Sequence, residues 1–124
     1  MARQQILIVD DNPNMSSLLS EMLEIFEFES RRAGNGQEAM EILGDDSFAM
    51  VITDLRMPEM SGSELLKNIK EKHPELPVVV ISGYNLAEGE DTLLSRLADG
   101  FINKPFKMVD IENMLNKFFK ARIA

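Results

Sequence analysis

The chain has 124 residues, 44% of them hydrophobic, which suits one globular domain with a sizeable core, spanning residues 1–124. Its 13 basic and 21 acidic residues give a net charge of −8, which opposes nucleic-acid binding and favours protein partners or cations. Cysteine is absent, no signal-peptide pattern opens the chain and no apolar run approaches the ~20 residues that cross a bilayer, so disulfides, thiolate metal sites and membrane insertion are excluded and a reducing, cytoplasmic setting is expected.

Residues 5–10 form a nearly continuous apolar run, as expected of a strand covered on both faces. Asn12 and Pro13 then read as the N-cap and first position of a helix reaching about residue 26. Met15, Leu18, Leu19, Met22, Leu23 and Phe26 recur along it at helical spacing. A second strand near 28–33 carries Glu29, Arg31 and Arg32, which suit a sheet edge. Asn35-Gly36 turns into a second helix, about 37–43, and 48–54 is the third strand. A Pro- and Gly-containing loop, 56–62, precedes a third helix over 63–72, which the prolines at 74 and 77 close.

Residues 78–82 are the most β-branched run and read as a central strand. A long loop over 83–89, a fourth helix over about 90–98, a short strand at 101–103 and a fifth helix over 109–121 complete the pattern. Met108, Ile111, Met114, Leu115 and Phe118 make a helical stripe that should be mainly core. Five strands alternating with five helices predict an α/β fold, a doubly wound parallel sheet. Strand order 2-1-3-4-5 places its switch point between the first and third strands.

Several reactive groups fall just after apolar strands: Asp10 and Asp11, Asp54, Ser82 and Lys104. In such a sheet these strand ends line one crevice, where ligands bind. Each residue has an ordinary reading alone: acids in a helix cap region, a strand-ending loop residue, a hydroxyl satisfying backbone, a surface lysine. Together they put three carboxylates and an ammonium at one edge. Crowded carboxylates repel unless a cation joins them, and a hard dication with oxygen ligands, Mg²⁺ above all, would relieve that repulsion. A metal, a carboxylate beside it and a lysine in reach suit the handling of a phosphoryl group.

The segments ILIVDDNP, VITDLRMPEMSG, VVVISG and ADGFINKPF, with their spacing, resemble the response-regulator receiver domain of two-component signalling, of the single-domain chemotaxis or phosphorelay type, across essentially the whole chain. The resemblance implies a flavodoxin-like (βα)5 fold and a phosphorylation-dependent switch. Asp54 would accept a phosphoryl group from a phosphohistidine on a sensor histidine kinase or a histidine phosphotransfer protein. Asp10, Asp11, Asp54 and the backbone carbonyl of Arg56 would hold Mg²⁺, with Mn²⁺ as a substitute. Lys104 would pair first with Asp54 and then with a phosphoryl oxygen; a cis Lys104–Pro105 bond would aim it. Ser82 would bind another phosphoryl oxygen while Phe101 turns inward, shifting the face built by the fourth helix, fifth strand and fifth helix.

Such a protein is an enzyme only toward its own phosphorylation and dephosphorylation, and it would be a monomer or weak dimer. Arg56 and Tyr84 would flank the approach of hydrolytic water and prolong the phosphorylated state. Met15 divides between core and a docking face for the histidine-bearing partner, and His73 reads as a surface residue. Ser82 stands where threonine is commoner in the family, and Leu97 where many members have glycine. The downstream target or output domain is not encoded in these motifs, and the chain would be a free-standing receiver or part of a longer regulator or hybrid kinase. Two other classes compete: a Mg²⁺-dependent aspartyl-phosphate phosphatase of the haloacid dehalogenase kind, and an FMN-binding flavodoxin-like module. The first would want Asp-x-Asp and a cap segment, the second a Ser/Thr/Gly-rich phosphate loop; Asp-Asp-Asn-Pro-Asn-Met supplies neither.

Overall fold

The apolar runs of the chain become the strands of one parallel sheet. The computed structural model describes residues 4–54, 62–82 and 97–119. Its strands are β1 (Gln5–Val9), β2 (Glu29–Ala33), β3 (Met50–Asp54), β4 (Val78–Ser82) and β5 (Gly100–Asn103). All neighbours pair in parallel, in the order β2-β1-β3-β4-β5, as expected. The helices are α1 (Pro13–Ile25), α2 (Gly36–Asp45), α3 (Gly62–Lys72) and α4 (Met108–Phe118). Thus α4 corresponds to the fifth predicted helix. The fourth predicted helix lies outside the described residues except for positions 97 and 98.

Strand side chains alternate between two cores. Ile6, Ile8, Met50, Ile52, Val79 and Ile81 pack with Leu19 and Leu23 of α1 and Ile111, Met114 and Leu115 of α4. Leu7, Val9, Val51, Val78 and Val80 pack with Ala39 and Leu43 of α2 and Leu65, Leu66 and Ile69 of α3. Double coverage is why β1, β3 and β4 are nearly continuously apolar rather than alternating. β2 is an edge, so Arg31 and Arg32 remain exposed. Leu97 packs against the second core. Of the stripe expected to be mainly core on the last helix, Met108 is instead exposed at 37%, because it stands in the first turn, beyond the sheet. Among the described residues, no helix is long and apolar enough to cross a membrane.

Asn12 caps α1 as expected: its Oδ1 accepts from the backbone N–H groups of Asn14 (3.0 Å) and Met15 (3.4 Å), and Pro13 follows at the first helical position. The other end of α1 closes with the N–H groups of Phe26 and Phe28 on the Leu23 carbonyl, which leaves Glu27 at φ 68°. Glycine normally fills this left-handed position, which costs an L-residue roughly 1–2 kcal/mol. Glu27→Gly should therefore stabilise the fold, by about 0.5 kcal/mol after glycine's extra unfolded-state entropy is subtracted. Thermal unfolding checks this; a lower melting temperature would contradict it.

Candidate functional site

β1 and β3 lie side by side, and the chain leaves both at the same sheet edge. Asp10 and Asp11 follow β1, and Asp54 ends β3. One carboxylate oxygen from each lies within 4.8 Å of the others. Asp10 is buried at 5% exposure, Asp54 is half-buried and Asp11 is exposed. Asp10 Oδ1 also accepts the backbone N–H of Asn12 at 2.9 Å, so this carboxylate sets the entry to α1 as well as facing the site. From the sequence, a cap-region role for this acid competes with a role in the site, and Asp10 fills the first while facing the second.

Lys104 Nζ lies 3.4 Å from Asp54 Oδ1, an ion pair across 50 residues of chain. The placement comes from β5, the strand next to β4. The Lys104 N–H donates to the Ser82 carbonyl at 2.8 Å, and the Lys104–Pro105 bond is cis, as expected. Ser82 ends β4 at 1% exposure and is paired with Asn103. Phe101, on β5, is 39% exposed. Asp10, Asp11, Asp54, Ser82 and Lys104 thus converge on one edge. Arg56 and Tyr84 lie outside the described residues. His73, half-buried just after α3, borders a separate cavity of about 490 Å³ between Leu43, Phe48, Leu76 and Pro77, beside the starts of β3 and β4. Met15 is half-buried against the first core, a placement compatible with both expectations for it.

Burial pushes the Asp10 carboxyl above its usual range; the charges of Asp54 and Asp11 push the same way, against the Asn12 N–H and Lys104. Charge at this position is therefore costly until a cation shares the site. An all-oxygen set of three carboxylates fits a hard dication such as Mg²⁺. A carboxyl raised in the folded state contributes stability below its unfolded value and loses it as pH rises through the folded one. In metal-free buffer, Asp10→Asn should raise the melting temperature by a few degrees at neutral pH. The gain should shrink as the pH is lowered and the wild-type carboxyl takes up a proton. Melting curves across the acidic range test this; a gain that grows on acidification would refute it.

The resulting arrangement has known counterparts. A family model of the response regulator receiver domain matches residues 6–116. Response regulator protein PilR of Pseudomonas aeruginosa is 33% identical over 98% of this chain, which spans 27% of PilR's length. Two-component response regulator ORR5 of Oryza sativa is 33% identical over 93% of this chain and 88% of its own. Response regulator protein TrrA of Thermotoga maritima, solved in complex with Mg²⁺ and BeF, superposes with a TM-score of 0.86 and 30% identity, covering 94% of this chain and 99% of that one. Fold, acidic cluster and sequence agree, and the chain belongs to the receiver domains of two-component response regulators.

Proposed function

We propose that Asp54 is the phospho-acceptor of this receiver. The observation that carries the reading is the triad of carboxylate oxygens within 4.8 Å, with the Lys104 ammonium 3.4 Å from Asp54. An Asp54 oxygen attacks the phosphorus of a phosphohistidine on a sensor kinase or phosphotransfer protein. The phosphorus–nitrogen bond breaks, the imidazole leaves with the electron pair, and an acyl phosphate forms. Lys104 moves from the carboxylate to a phosphoryl oxygen, meeting charge where it accumulates. Asp10, Asp11 and Asp54, with the Arg56 carbonyl, would hold Mg²⁺, or Mn²⁺ in its place. When bound, the dication offsets the charge of carboxylates and phosphoryl oxygens.

The switch then runs through Ser82 and Phe101. A Ser82 hydroxyl drawn to the phosphoryl group pulls the end of β4, and the space vacated receives the Phe101 ring. The protein acts on no separate substrate beyond the donor's phosphoryl group; its catalysis is of its own phosphorylation and dephosphorylation. The phosphatase and FMN-binding alternatives gain no support from the relatives found.

The test uses acetyl phosphate as donor. Labelling should require Mg²⁺ and stop when a chelator is added. Mg²⁺ should also raise the wild-type melting temperature by mass action. Asp11→Ala should remove most of that response, because exposed Asp11 is the ligand freest to approach a hydrated ion. Equal Mg²⁺ responses in variant and wild type would take Asp11 out of the ligand set.

A further inference from the structure

We infer that Asp99, held by Lys70, is a positioning residue that sets the register of β5 and so places Lys104 and Phe101. This rests on the reading of Lys104 given above. β5 has four residues and one neighbour, β4. A one-residue slip in a strand sends every side chain to the opposite face. Here a slip would exchange exposed Phe101 with buried Ile102 and carry Lys104 away from Asp54. So short an edge strand needs pins at its ends.

One pin is the Lys104 N–H on the Ser82 carbonyl. The other is Asp99, just before β5. Its N–H donates to the Val78 carbonyl at 2.9 Å, while its Oδ2 accepts the Val78 N–H at 2.8 Å. Asp99 therefore takes both backbone groups of the first residue of β4, which admits one register. The same Oδ2 accepts from Lys70 Nζ at 2.6 Å, and that ammonium also donates to the Leu76 carbonyl at 2.8 Å. Lys70, at the end of α3, thus ties the carboxylate to the turn that feeds β4. The Lys70 side chain is 14% exposed and the Asp99 side chain 36%, so the ammonium is held in place although the carboxylate reaches solvent. The acids proposed to hold the metal follow β1 or end β3, and none of them takes part in the bonds of this pin.

That separation distinguishes positioning from plain stability. Asp99→Ala should slow labelling by acetyl phosphate at saturating Mg²⁺ about tenfold, the order expected when a small misplacement shifts a catalytic group. Its half-saturating Mg²⁺ concentration should not rise and should fall somewhat, because a displaced Lys104 no longer competes for Asp54. Leu43→Ala, a core truncation in α2, loses stability without touching β5 and should label at the wild-type rate. Asp99→Asn keeps an oxygen for the Val78 N–H and should recover most of the lost rate. Lys70→Met keeps the apolar stem, loosens the carboxylate and should fall between wild type and Asp99→Ala; it carries the test if Asp99→Ala does not fold. Labelling of Asp99→Ala at the wild-type rate, or equal slowing of Asp99→Ala and Leu43→Ala, overturns the inference; so does unslowed Lys70→Met where Asp99→Ala is unfolded. Failure of the underlying reading looks different: Asp54→Asn would then label as wild type does.

Discussion

Asp54→Asn should abolish labelling by acetyl phosphate, leaving no acid-labile phosphoryl group on the folded protein. An amide has no anionic oxygen to form an acyl phosphate, so the loss is of the nucleophile itself. The fold should survive. Asparagine has nearly the same shape, the partly buried ion pair to Lys104 is long at 3.4 Å and worth about 1 kcal/mol, and removing one of three crowded carboxylates offsets part of that. The metal-free melting temperature should therefore stay near wild type, while the Mg²⁺ response weakens with one ligand gone. Labelling of the variant at the wild-type rate would remove Asp54 from its role.

Lys104→Met should split two properties that travel together in a simple loss of structure. Methionine keeps the apolar stem that passes along the site. Without the ammonium, the charge gathering on the phosphoryl oxygens loses a preplaced partner, and such losses slow the chemical step about 10²–10³-fold. Mg²⁺ binding should move the other way. Lys104 now competes for Asp54 at 3.4 Å, and its removal leaves three carboxylates with no internal cation. The variant should bind Mg²⁺ more tightly and label far more slowly. Mg²⁺-dependent melting beside a labelling time course reads both; a rate within about threefold of wild type would mean that Lys104 is not aimed at the reacting group.

The sheet was legible in the sequence because burial on both faces leaves β1, β3 and β4 almost continuously apolar, with Thr53 the buried polar exception in β3. The site followed from it, since reactive residues after buried strands of a parallel sheet must share an edge. What escaped depends on tertiary contacts. The last helix was expected to reach residue 121 but stops at Phe118. Phe119 leaves the helix to set its ring 5.1 Å from that of Phe28, a pairing that no local pattern announces. α2 runs on to Asp45, beyond its last core residue, Leu43. Residues 48 and 49 were expected in the third strand but precede it, and Ala49 joins the Gln5 carbonyl instead. Glu27 gave no sign of its left-handed conformation, which glycine would have marked. Lys70 and Asp99 lie 29 residues apart in a chain that is 27% charged, so nothing singled out their pairing. The roles of Ser82 and Phe101 came from family resemblance, not from residue chemistry alone.

Reductive trapping reads the acceptor directly. Borohydride converts an aspartyl phosphate to homoserine and leaves free carboxylates intact. After incubation with acetyl phosphate and Mg²⁺, peptide mapping should find homoserine at position 54, and none in the peptide carrying Asp10 and Asp11 or when Mg²⁺ is withheld. Homoserine at position 10 or 11, or a labelled protein with Asp54 unmodified, would contradict the account.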